Sequence, residues 1–263
     1  MPLKSSIKAK RSIVRFSYEG KVSYGLYNGK TIRIYQGSPF GRGKPTKDTV
    51  ALSKVSLLAP CRPSKVVAVG LNYKAHAKEM DKKLPDEPML FLKPSSSVIG
   101  PDDVILMPPS SSRVDYEAEL AVVIQRSCHE VGPEEAPDYI LGYTCLNDVT
   151  ARDLQKKDGQ FTRGKGFDTF CPIGPSIALE LSPDNLMVSS QVNGKTKQKS
   201  RTSDLIFGIN ELVSFISHVM TLRPGDVIAT GTPSGVGPLA DGDTVAIEIQ
   251  GIGVLSNPVV AKG

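Results

Sequence analysis

Hydrophobic and polar residues alternate along much of the chain, and this period of two predicts β-strands rather than helices. Residues 13–36 alternate around two turn signals, Tyr-Glu-Gly-Lys at 18–21 and Tyr-Asn-Gly-Lys at 27–30, which predicts a small antiparallel sheet. Helical spacing of apolar residues predicts helices at 73–80, 149–156 and 204–220. Further strands are predicted at 65–69, 104–107, 114–124, 139–146, 173–181, 186–192, 227–230 and 244–249.

This distribution of elements indicates an α+β, strand-dominated protein with a large mixed or rolled sheet, because strands and helices do not alternate as they do in βαβ folds. We expect a small N-terminal β domain with a linker over residues 1–60 and a larger domain over residues 61–263. Residues 37–47 are rich in Gly, Pro and Lys, which predicts the linker or an exposed loop.

The composition is that of an ordinary globular protein: 263 residues with 40% hydrophobic content are enough for a substantial core. Apolar runs fall well short of the roughly 18 residues of a membrane span, and the N-terminus lacks the apolar stretch of a secretory signal. We therefore expect a cytoplasmic protein with no membrane partner and read the basic N-terminus as a ragged tail.

Charge and cysteine usage exclude two further classes. The net charge is +5, but the basic residues are scattered among 27 acids instead of forming a run, so the sequence does not predict nucleic-acid binding. The four cysteines are widely spaced without a C-x-x-C pair, which argues against a zinc knuckle or a disulfide framework. The three histidines likewise argue against a multi-histidine metal site.

The acidic strand at 114–124 is the first candidate for chemistry. Asp115, Glu117 and Glu119 occupy every second position, so a strand would point their carboxylates to one face. Carboxylates crowded together call for a cation, and oxygen ligands favour Mg²⁺, Mn²⁺ or Ca²⁺ over zinc. An edge strand made soluble by acids is the alternative.

Asp148 adds a further carboxylate at the junction between a predicted strand and a predicted helix. Three carboxylates from two strand ends would leave positions on an octahedral ion for water and substrate, which is an arrangement that supports catalysis. The sequence alone leaves open a second role for Asp148 as the N-cap of the following helix.

His76 and Glu79 stand three residues apart in the predicted helix at 73–80, so their side chains project from one helical face. The glutamate could orient the imidazole, or the pair could take a proton from a shared water, as general-base catalysis requires. An amphipathic surface helix that carries the pair by coincidence is the alternative.

The segment 229–238, Ala-Thr-Gly-Thr-Pro-Ser-Gly-Val-Gly-Pro, follows a predicted strand. Its backbone N–H groups, assisted by the Thr230 or Thr232 hydroxyl, could cradle a carboxylate, although a sharp turn explains the glycines equally well. Lys93 and Lys165 each stand beside turn residues, where a lone lysine is usually solvated.

Six of these segments, in this order, resemble the motifs of the fumarylacetoacetate hydrolase family over residues 66–260. They are G-L-N-Y-x-x-H-x-x-E, F-x-K-P, D-Y-E-x-E-L, N-D-x-T-A-R-D-x-Q, K-x-F-D and T-G-T-P-x-G-V-G. The resemblance implies a rolled mixed β-sheet domain of that family with a small N-terminal β domain, assembled as a homodimer.

The resemblance also implies roles for residues of the motifs. Glu117, Glu119 and Asp148 match the family's metal ligands, for Mg²⁺ or Mn²⁺ with Ca²⁺ less favoured, and Asp115 then drops out. The other matched residues fall into three groups: His76 and Glu79 for water activation with Lys165 beside the metal, Arg152 and Gln155 for contact with substrate, and Gly231 and Thr232 in a carboxylate-binding loop.

For function, the resemblance implies an enzyme acting on small 2-oxo acids through a metal-stabilised enolate. Because His76 and Glu79 are both present, we expect a hydrolase or decarboxylase that cleaves a carbon–carbon bond. The runner-up is an isomerase or tautomerase of the 2-hydroxyhepta-2,4-diene-1,7-dioate or oxaloacetate type. Leu71 departs from close relatives with arginine at that position, and this departure argues against a preference for oxaloacetate or acylpyruvate. A non-catalytic protein that binds metal and 2-oxo acids is the minor alternative.

Overall fold

The structure is a computed structural model that describes residues 3–262. Strands account for most of its regular elements. They are β1 (Ser6–Ile7), β2 (Ser12–Tyr18), β3 (Lys21–Tyr27), β4 (Thr31–Gln36), β5 (Lys44–Ala51), β6 (Ser56–Leu58), β7 (Val66–Gly70), β8 (Met89–Lys93), β9 (Val98–Ile99), β10 (Ile105–Met107), β11 (Val114–Tyr116), β12 (Ala118–Ile124), β13 (Ile140–Asn147), β14 (Thr150–Ala151), β15 (Cys171–Ala178), β16 (Met187–Val192), β17 (Lys195–Arg201), β18 (Val227–Ala229), β19 (Gly237–Pro238), β20 (Thr244–Ile249) and β21 (Gly253–Ala261).

Helices are short and few, as the sequence predicted. The α-helices are α1 (Lys74–Glu79), α2 (Arg152–Asp158), α3 (Phe161–Gly166) and α4 (Ile209–Val219), and single 3₁₀ turns lie at Leu52–Lys54, Ser95–Ser97, Ala136–Tyr139 and Thr202–Asp204. Within residues 3–262, no helix is both long and apolar enough to cross a membrane.

The strands form a mixed twelve-stranded sheet, a six-stranded sheet and a three-stranded sheet. The largest has the order β5-β4-β3-β2-β15-β13-β12-β18-β7-β8, with β6 beside β2 and β9 beside β15. The six-stranded sheet ends in the hairpin of β16 and β17. The strand-dominated fold class predicted from the alternation is therefore confirmed.

β12 lies in the middle of the large sheet, between β13 and β18, and all seven of its residues are buried. Leu120, Val122 and Ile124 pack into one apolar cluster, whereas Ala121 and Val123 pack into another. Apolar cores therefore cover both faces of this strand. The acids that precede β12 consequently enter a buried environment rather than an exposed edge, and the edge-strand alternative is wrong.

The predicted elements differ from the observed ones mainly at their ends. Helix 73–80 is confirmed as α1, but the helix predicted over 204–220 begins only at Ile209, after a 3₁₀ turn and a short loop. The predicted strand 114–124 is interrupted at Glu117, and the predicted loop 37–47 gives way to β5 at Lys44. The pairing of β2 with β15 joins the N-terminal strands to the large sheet, and the division at residue 60 stays a prediction.

Candidate active site

Three carboxylates from two neighbouring chain segments meet at one point, and we call them the acidic cluster. Glu117 stands between β11 and β12, Glu119 is the second residue of β12, and Asp148 directly follows β13. Each offers a carboxylate oxygen within 4.8 Å of the other two, and all three residues are buried. The structure brings these three side chains together, and their role as metal ligands stays a prediction.

The strand is interrupted at Glu117, and hydrogen bonds to the segment around Asp148 hold the backbone there. The Glu117 amide donates to Asn147 Oδ1 at 3.0 Å, and the Glu117 carbonyl accepts the amide of Asp148 at 2.9 Å. The irregular backbone is therefore hydrogen-bonded even though it leaves the regular ladder. Helix α2 begins only at Arg152, with Ala151 at its N-cap, so the alternative role of Asp148 as N-cap is wrong.

Two buried lysines neutralise part of the cluster. Lys165 Nζ lies 3.0 Å from Glu117 Oε2 and 2.5 Å from Asp148 Oδ2. Lys93 Nζ lies 2.5 Å from Asp148 Oδ1 and also donates to the carbonyl of Lys165 at 2.6 Å. Lys93 is 0% and Lys165 is 2% exposed, so the expectation that these lysines are solvated is wrong.

The pKa values of Glu117 and Glu119 are shifted in opposite directions by their surroundings. Burial alone would raise the pKa of Glu117, but the Lys165 ammonium and the Arg152 guanidinium lower it to about 2. Burial raises the pKa of Glu119 well above its ordinary value, and the Asp148 and Glu117 carboxylates add to this effect. Of the two glutamates, Glu119 is therefore the one whose charged form the protein stabilises less.

The donor set fits a hard divalent cation. Glu119 accepts one hydrogen bond, from the Gly231 amide at 2.8 Å, and its carboxylate has no lysine or arginine in contact among the described residues. An ion held by Glu119, Glu117 and Asp148 would supply the missing positive charge. Three carboxylates without histidine or cysteine suit Mg²⁺ or Mn²⁺ better than zinc.

Asp115 does not join the cluster. Its carboxylate pairs with Arg113 Nε and Arg152 Nε, each at 2.9 Å. Arg152 also pairs with Glu117 and donates to Gln155 Oε1 at 2.6 Å. The geometric expectation of three aligned acids from the strand was therefore wrong for Asp115, whereas its exclusion by the resemblance agrees with the structure.

His76 and Glu79 form the pair that the helical spacing predicted. His76 Nδ1 lies 2.9 Å from Glu79 Oε2, and Glu79 Oε1 accepts the Gly235 amide at 3.2 Å. Because an ionised carboxylate only accepts hydrogen bonds, Nδ1 is the donor in this contact, and Nε2 is the ring nitrogen that Glu79 does not engage. Glu79 also joins α1 to the segment 230–237, which we call the glycine loop.

Gly231 and Thr232 of the glycine loop are tied directly to the acidic strand. The Gly231 amide is bound to Glu119, and the Thr232 hydroxyl donates to the Ala118 carbonyl at 3.0 Å. Gly231 has φ of +100°, and a Cβ there would lie 2.7 Å from Asn72 Cβ, so a larger residue does not fit. The carboxylate-binding role of this loop stays a prediction.

One cavity of about 300 Å³ connects these groups. Its wall combines acids, bases and an apolar side, which suits a small molecule with a charged head and a carbon chain. Residues of the wall include Leu71, His76, Met80, Met89, Phe91, Glu117, Glu119, Asp148, Arg152, Gln155, Phe161, Lys165 and Thr232. Glu79 and Gly231 contact members of this wall.

Sequence reasoning missed two buried polar residues that support the site, Lys93 and Gln198. Lys93 stood in a quoted motif, but its contact with Asp148 spans 55 positions of the chain. Gln198 is 1% exposed and contacts both Ala118 and Thr232 from β17. Uncharged residues alternate with basic ones over residues 195–201, which indicates a strand but does not single out Gln198.

Family models match both parts of the chain. The model described as fumarylacetoacetate hydrolase C-terminal matches residues 65–260, and one described as Rv2993c-like, N-terminal matches residues 12–60. An Archaeoglobus fulgidus protein described as uncharacterized is 60% identical over 211 residues, which cover 80% of this chain and 84% of that protein.

Two further similar proteins carry functional names. The mitochondrial oxaloacetate tautomerase of Rattus norvegicus is 43% identical over 220 residues, covering 79% of this chain and 70% of the relative. The crystal structure named 2-hydroxyhepta-2,4-diene-1,7-dioate isomerase from Mycobacterium marinum has a TM-score of 0.90 and 46% identity, covering 96% of this chain and 99% of that one. The resemblance drawn from the six motifs is thereby confirmed.

Proposed function

Because the chain belongs to the fumarylacetoacetate hydrolase family, we propose that it is a divalent-metal-dependent enzyme that isomerises small 2-oxo acids by moving a proton at the carbon beside the keto group. The observation that carries the proposal is that His76, held by Glu79, lies in one cavity with the acidic cluster. The names of the rat and M. marinum relatives support isomerisation over cleavage, which reverses the order expected from the sequence.

Glu117, Glu119 and Asp148 would hold the cation, with Mg²⁺ or Mn²⁺ preferred. When bound, such an ion supplies a Lewis acid that polarises the keto and carboxylate oxygens of a 2-oxo acid. Lys165 adds a permanent charge beside it: burial would lower the pKa of this lysine, but Asp148 and Glu117 raise it, so the ammonium stays protonated. Its charge stabilises the oxygen on which negative charge develops.

The proton is moved by His76. Its Nδ1–H is held by Glu79, so Nε2 takes a proton from the carbon beside the keto group and returns it to the same carbon or a conjugated one. Arg152 donates to Gln155 Oε1, and the Gln155 amide nitrogen is thereby left as a donor toward the substrate. These residues bind and orient the acid while the imidazole acts.

Carbon–carbon cleavage is the second candidate, and the contact between His76 and Glu79 favours it. A carboxylate behind an imidazole holds the ring so that its other nitrogen can take a proton from water, as a hydrolase requires. A decarboxylase would form an enolate by losing CO₂ from the substrate and would then protonate that enolate. All three reactions pass through an enolate of a 2-oxo acid, so the products decide between them.

The deciding experiment incubates the enzyme with Mg²⁺ or Mn²⁺ in D₂O and follows oxaloacetate, an acylpyruvate and a 2-hydroxydienedioate by NMR. Isomerisation predicts enzyme-dependent deuterium at the carbon beside the keto group, or a moved double bond, without pyruvate. Cleavage predicts pyruvate at the rate of substrate loss. A Glu119→Gln variant corrects for the metal's own catalysis, and equal rates for variant and wild type on every substrate would leave only the non-catalytic binding protein.

A further inference from the structure

Gln198 is a buried amide on an otherwise solvent-facing strand. It lies on β17, the last strand of the six-stranded sheet, and is 1% exposed, whereas the neighbouring Lys197 and Lys199 are exposed. The backbone of β17 packs closely against the glycine loop, since a Cβ at Gly235 would lie 2.5 Å from the Lys197 carbonyl oxygen. The inward side chain of this strand therefore reaches the loop and not the solvent.

The side-chain amide of Gln198 forms hydrogen bonds through both its oxygen and its nitrogen. Its Oε1 accepts the Ala118 amide at 3.0 Å, and its Nε2 donates to Thr232 Oγ1 and to the Pro233 carbonyl, each at 2.8 Å. Ala118 is the residue between the two glutamates of the acidic cluster. One side chain thus fastens the acidic strand and the glycine loop to each other.

These bonds also fix the direction of the Thr232 hydroxyl. Since Gln198 donates to Thr232 Oγ1, the hydroxyl proton must point elsewhere, and it is donated to the Ala118 carbonyl at 3.0 Å. The hydroxyl proton of Thr232 is consequently engaged within the protein and is not donated to a ligand. A carboxylate bound at this loop would meet backbone N–H groups, whose distance from the acidic cluster is set by the ring of hydrogen bonds through Ala118, Gln198 and Thr232.

We propose that Gln198 is a positioning residue that holds the glycine loop in register with the acidic cluster, so that a 2-oxo acid reaches both at once. The inference rests on the proposed function for its ligand. A carboxamide is suited to the task because it offers an acceptor on one side and donors on the other, whereas glutamate has no donor and methionine has neither. Its loss releases the loop and leaves buried polar groups of Ala118 and Pro233 without partners.

The test is a double-mutant cycle between Gln198→Met and Thr232→Val, read by calorimetric binding of Mg²⁺ and then of oxalate, a small mimic of the 2-oxo acid head. Each single variant should weaken oxalate binding by about 10- to 100-fold, as expected for lost buried hydrogen bonds. The double variant should bind oxalate no less tightly than the single variant with the lower oxalate affinity, because both changes break the same ring of hydrogen bonds. Thr232→Val should leave Mg²⁺ affinity within about threefold, since it spares the Ala118 amide.

Matched controls separate positioning from simple structural damage. Thr232→Ser keeps the hydroxyl and should restore oxalate affinity, and Lys199→Met changes an exposed neighbour on β17 and should bind as the wild type does. If Gln198→Met does not fold, Gln198→Glu keeps an oxygen for the Ala118 amide and takes its place in the cycle, with the same expected loss of oxalate affinity.

Additive losses in the cycle would overturn the proposal, since they would mean that Thr232 contacts the ligand independently of Gln198. Unchanged oxalate affinity in the folded Gln198 variant, with only a lower melting temperature, would overturn it as well. Failure of the proposed function appears elsewhere, as absent turnover by the wild type on every 2-oxo acid, whereas the binding measurements need no turnover.

Discussion

The imidazole of His76 donates through Nδ1 to Glu79 Oε2 across 2.9 Å, and this carboxylate also accepts the Gly235 amide. Glu79 therefore sets the tautomer of the base and joins α1 to the glycine loop. Among residues 3–262, the ion pairs of the acidic cluster are with Lys165, Lys93 and Arg152, and neither His76 nor Glu79 takes part in them. In the proposed mechanism, proton transfer and cation binding would therefore use separate sets of residues.

His76→Ala should lower turnover by about 10² to 10⁴, which is the usual loss when a general base is removed. Mg²⁺ and oxalate affinities should change little, because neither ligand needs the imidazole. Glu79→Gln, which keeps a hydrogen-bond acceptor, should lose less turnover than His76→Ala. Steady-state kinetics and calorimetry measure these effects, and wild-type turnover in His76→Ala would remove the histidine from the mechanism.

Glu119→Gln should abolish cation binding while the protein stays folded. The neutral amide keeps an oxygen for the Gly231 amide and removes a charge that burial and the neighbouring carboxylates disfavour, so the metal-free variant should be at least as stable as metal-free wild type. Added Mg²⁺ should raise the melting temperature of wild type but not that of Glu119→Gln. Melting in EDTA and in Mg²⁺ measures this, with Glu134→Gln, an exposed acid, as the control; full activity of the metal-free wild type would contradict it.

Lys93→Met should destabilise the protein by about 3–5 kcal/mol, the range for breaking a buried ion pair from one side. The variant leaves Asp148 Oδ1 and the Lys165 carbonyl without the ammonium that lies within 2.6 Å of each. Arg163→Met, which breaks an exposed pair with Asp158, should cost far less stability because solvent screens that pair. Urea unfolding of both variants gives the comparison, and equal losses would show that Lys93 is not structural.

The acidic cluster could be predicted from the sequence because the pattern that indicates it is local. Alternation placed Glu117 and Glu119 on one side, and a strand end placed Asp148 nearby. Asp115 follows the same alternation, but its carboxylate does not join the acidic cluster. The strand breaks at Glu117, and two arginines bind the Asp115 carboxylate. One of these, Arg152, lies 37 positions along the chain, beyond any local pattern.

The two supporting residues, Lys93 and Gln198, could not be predicted from the sequence, because their contacts also lie far along the chain. Burial of Lys93 and Gln198 follows from tertiary contacts over 55 and 80 positions, and polar residues are ordinarily placed on the surface. Helix α4 shows a milder form of the limit: its apolar spacing was visible, but its start was shifted to Ile209 because the preceding residues form a 3₁₀ turn and a loop.

The chain should form a symmetric homodimer, a prediction that rests on the resemblance to the family and on the prevalence of two-fold assemblies among soluble oligomers. Met89 and Leu92 of the edge strand β8 are 43% and 47% exposed in the single chain, as expected of apolar residues that a second copy could cover. Sedimentation equilibrium of the full chain should give twice the 28.2 kDa of one chain. A single species at the monomer mass at micromolar concentration would contradict the prediction.

Asp226 should make stability depend on pH at acid values. Its side chain is 0% exposed and fastens the start of β7 to β18 by accepting from Ser64, from Lys65 Nζ at 2.5 Å and from the Arg223 amide. Burial would raise the pKa of Asp226, but the bonds from Lys65, Ser64 and Arg223 lower it below the ordinary value of 3.8. A lowered folded-state pKa stabilises the protein above the unfolded-state pKa, and this contribution is lost as pH falls through the folded-state value.

Asp226→Asn should therefore be clearly less stable than wild type at pH 7, because the amide offers Lys65 no charge and one oxygen fewer. The difference in unfolding free energy should shrink as pH drops below about 4, where the wild-type carboxylate also becomes protonated in the unfolded chain. Urea unfolding of both proteins between pH 7 and pH 3 measures the gap, and Asp86→Asn, an exposed acid, is the control. A gap that stays constant over this range would mean that the charge of Asp226 contributes nothing and that only its hydrogen bonds matter.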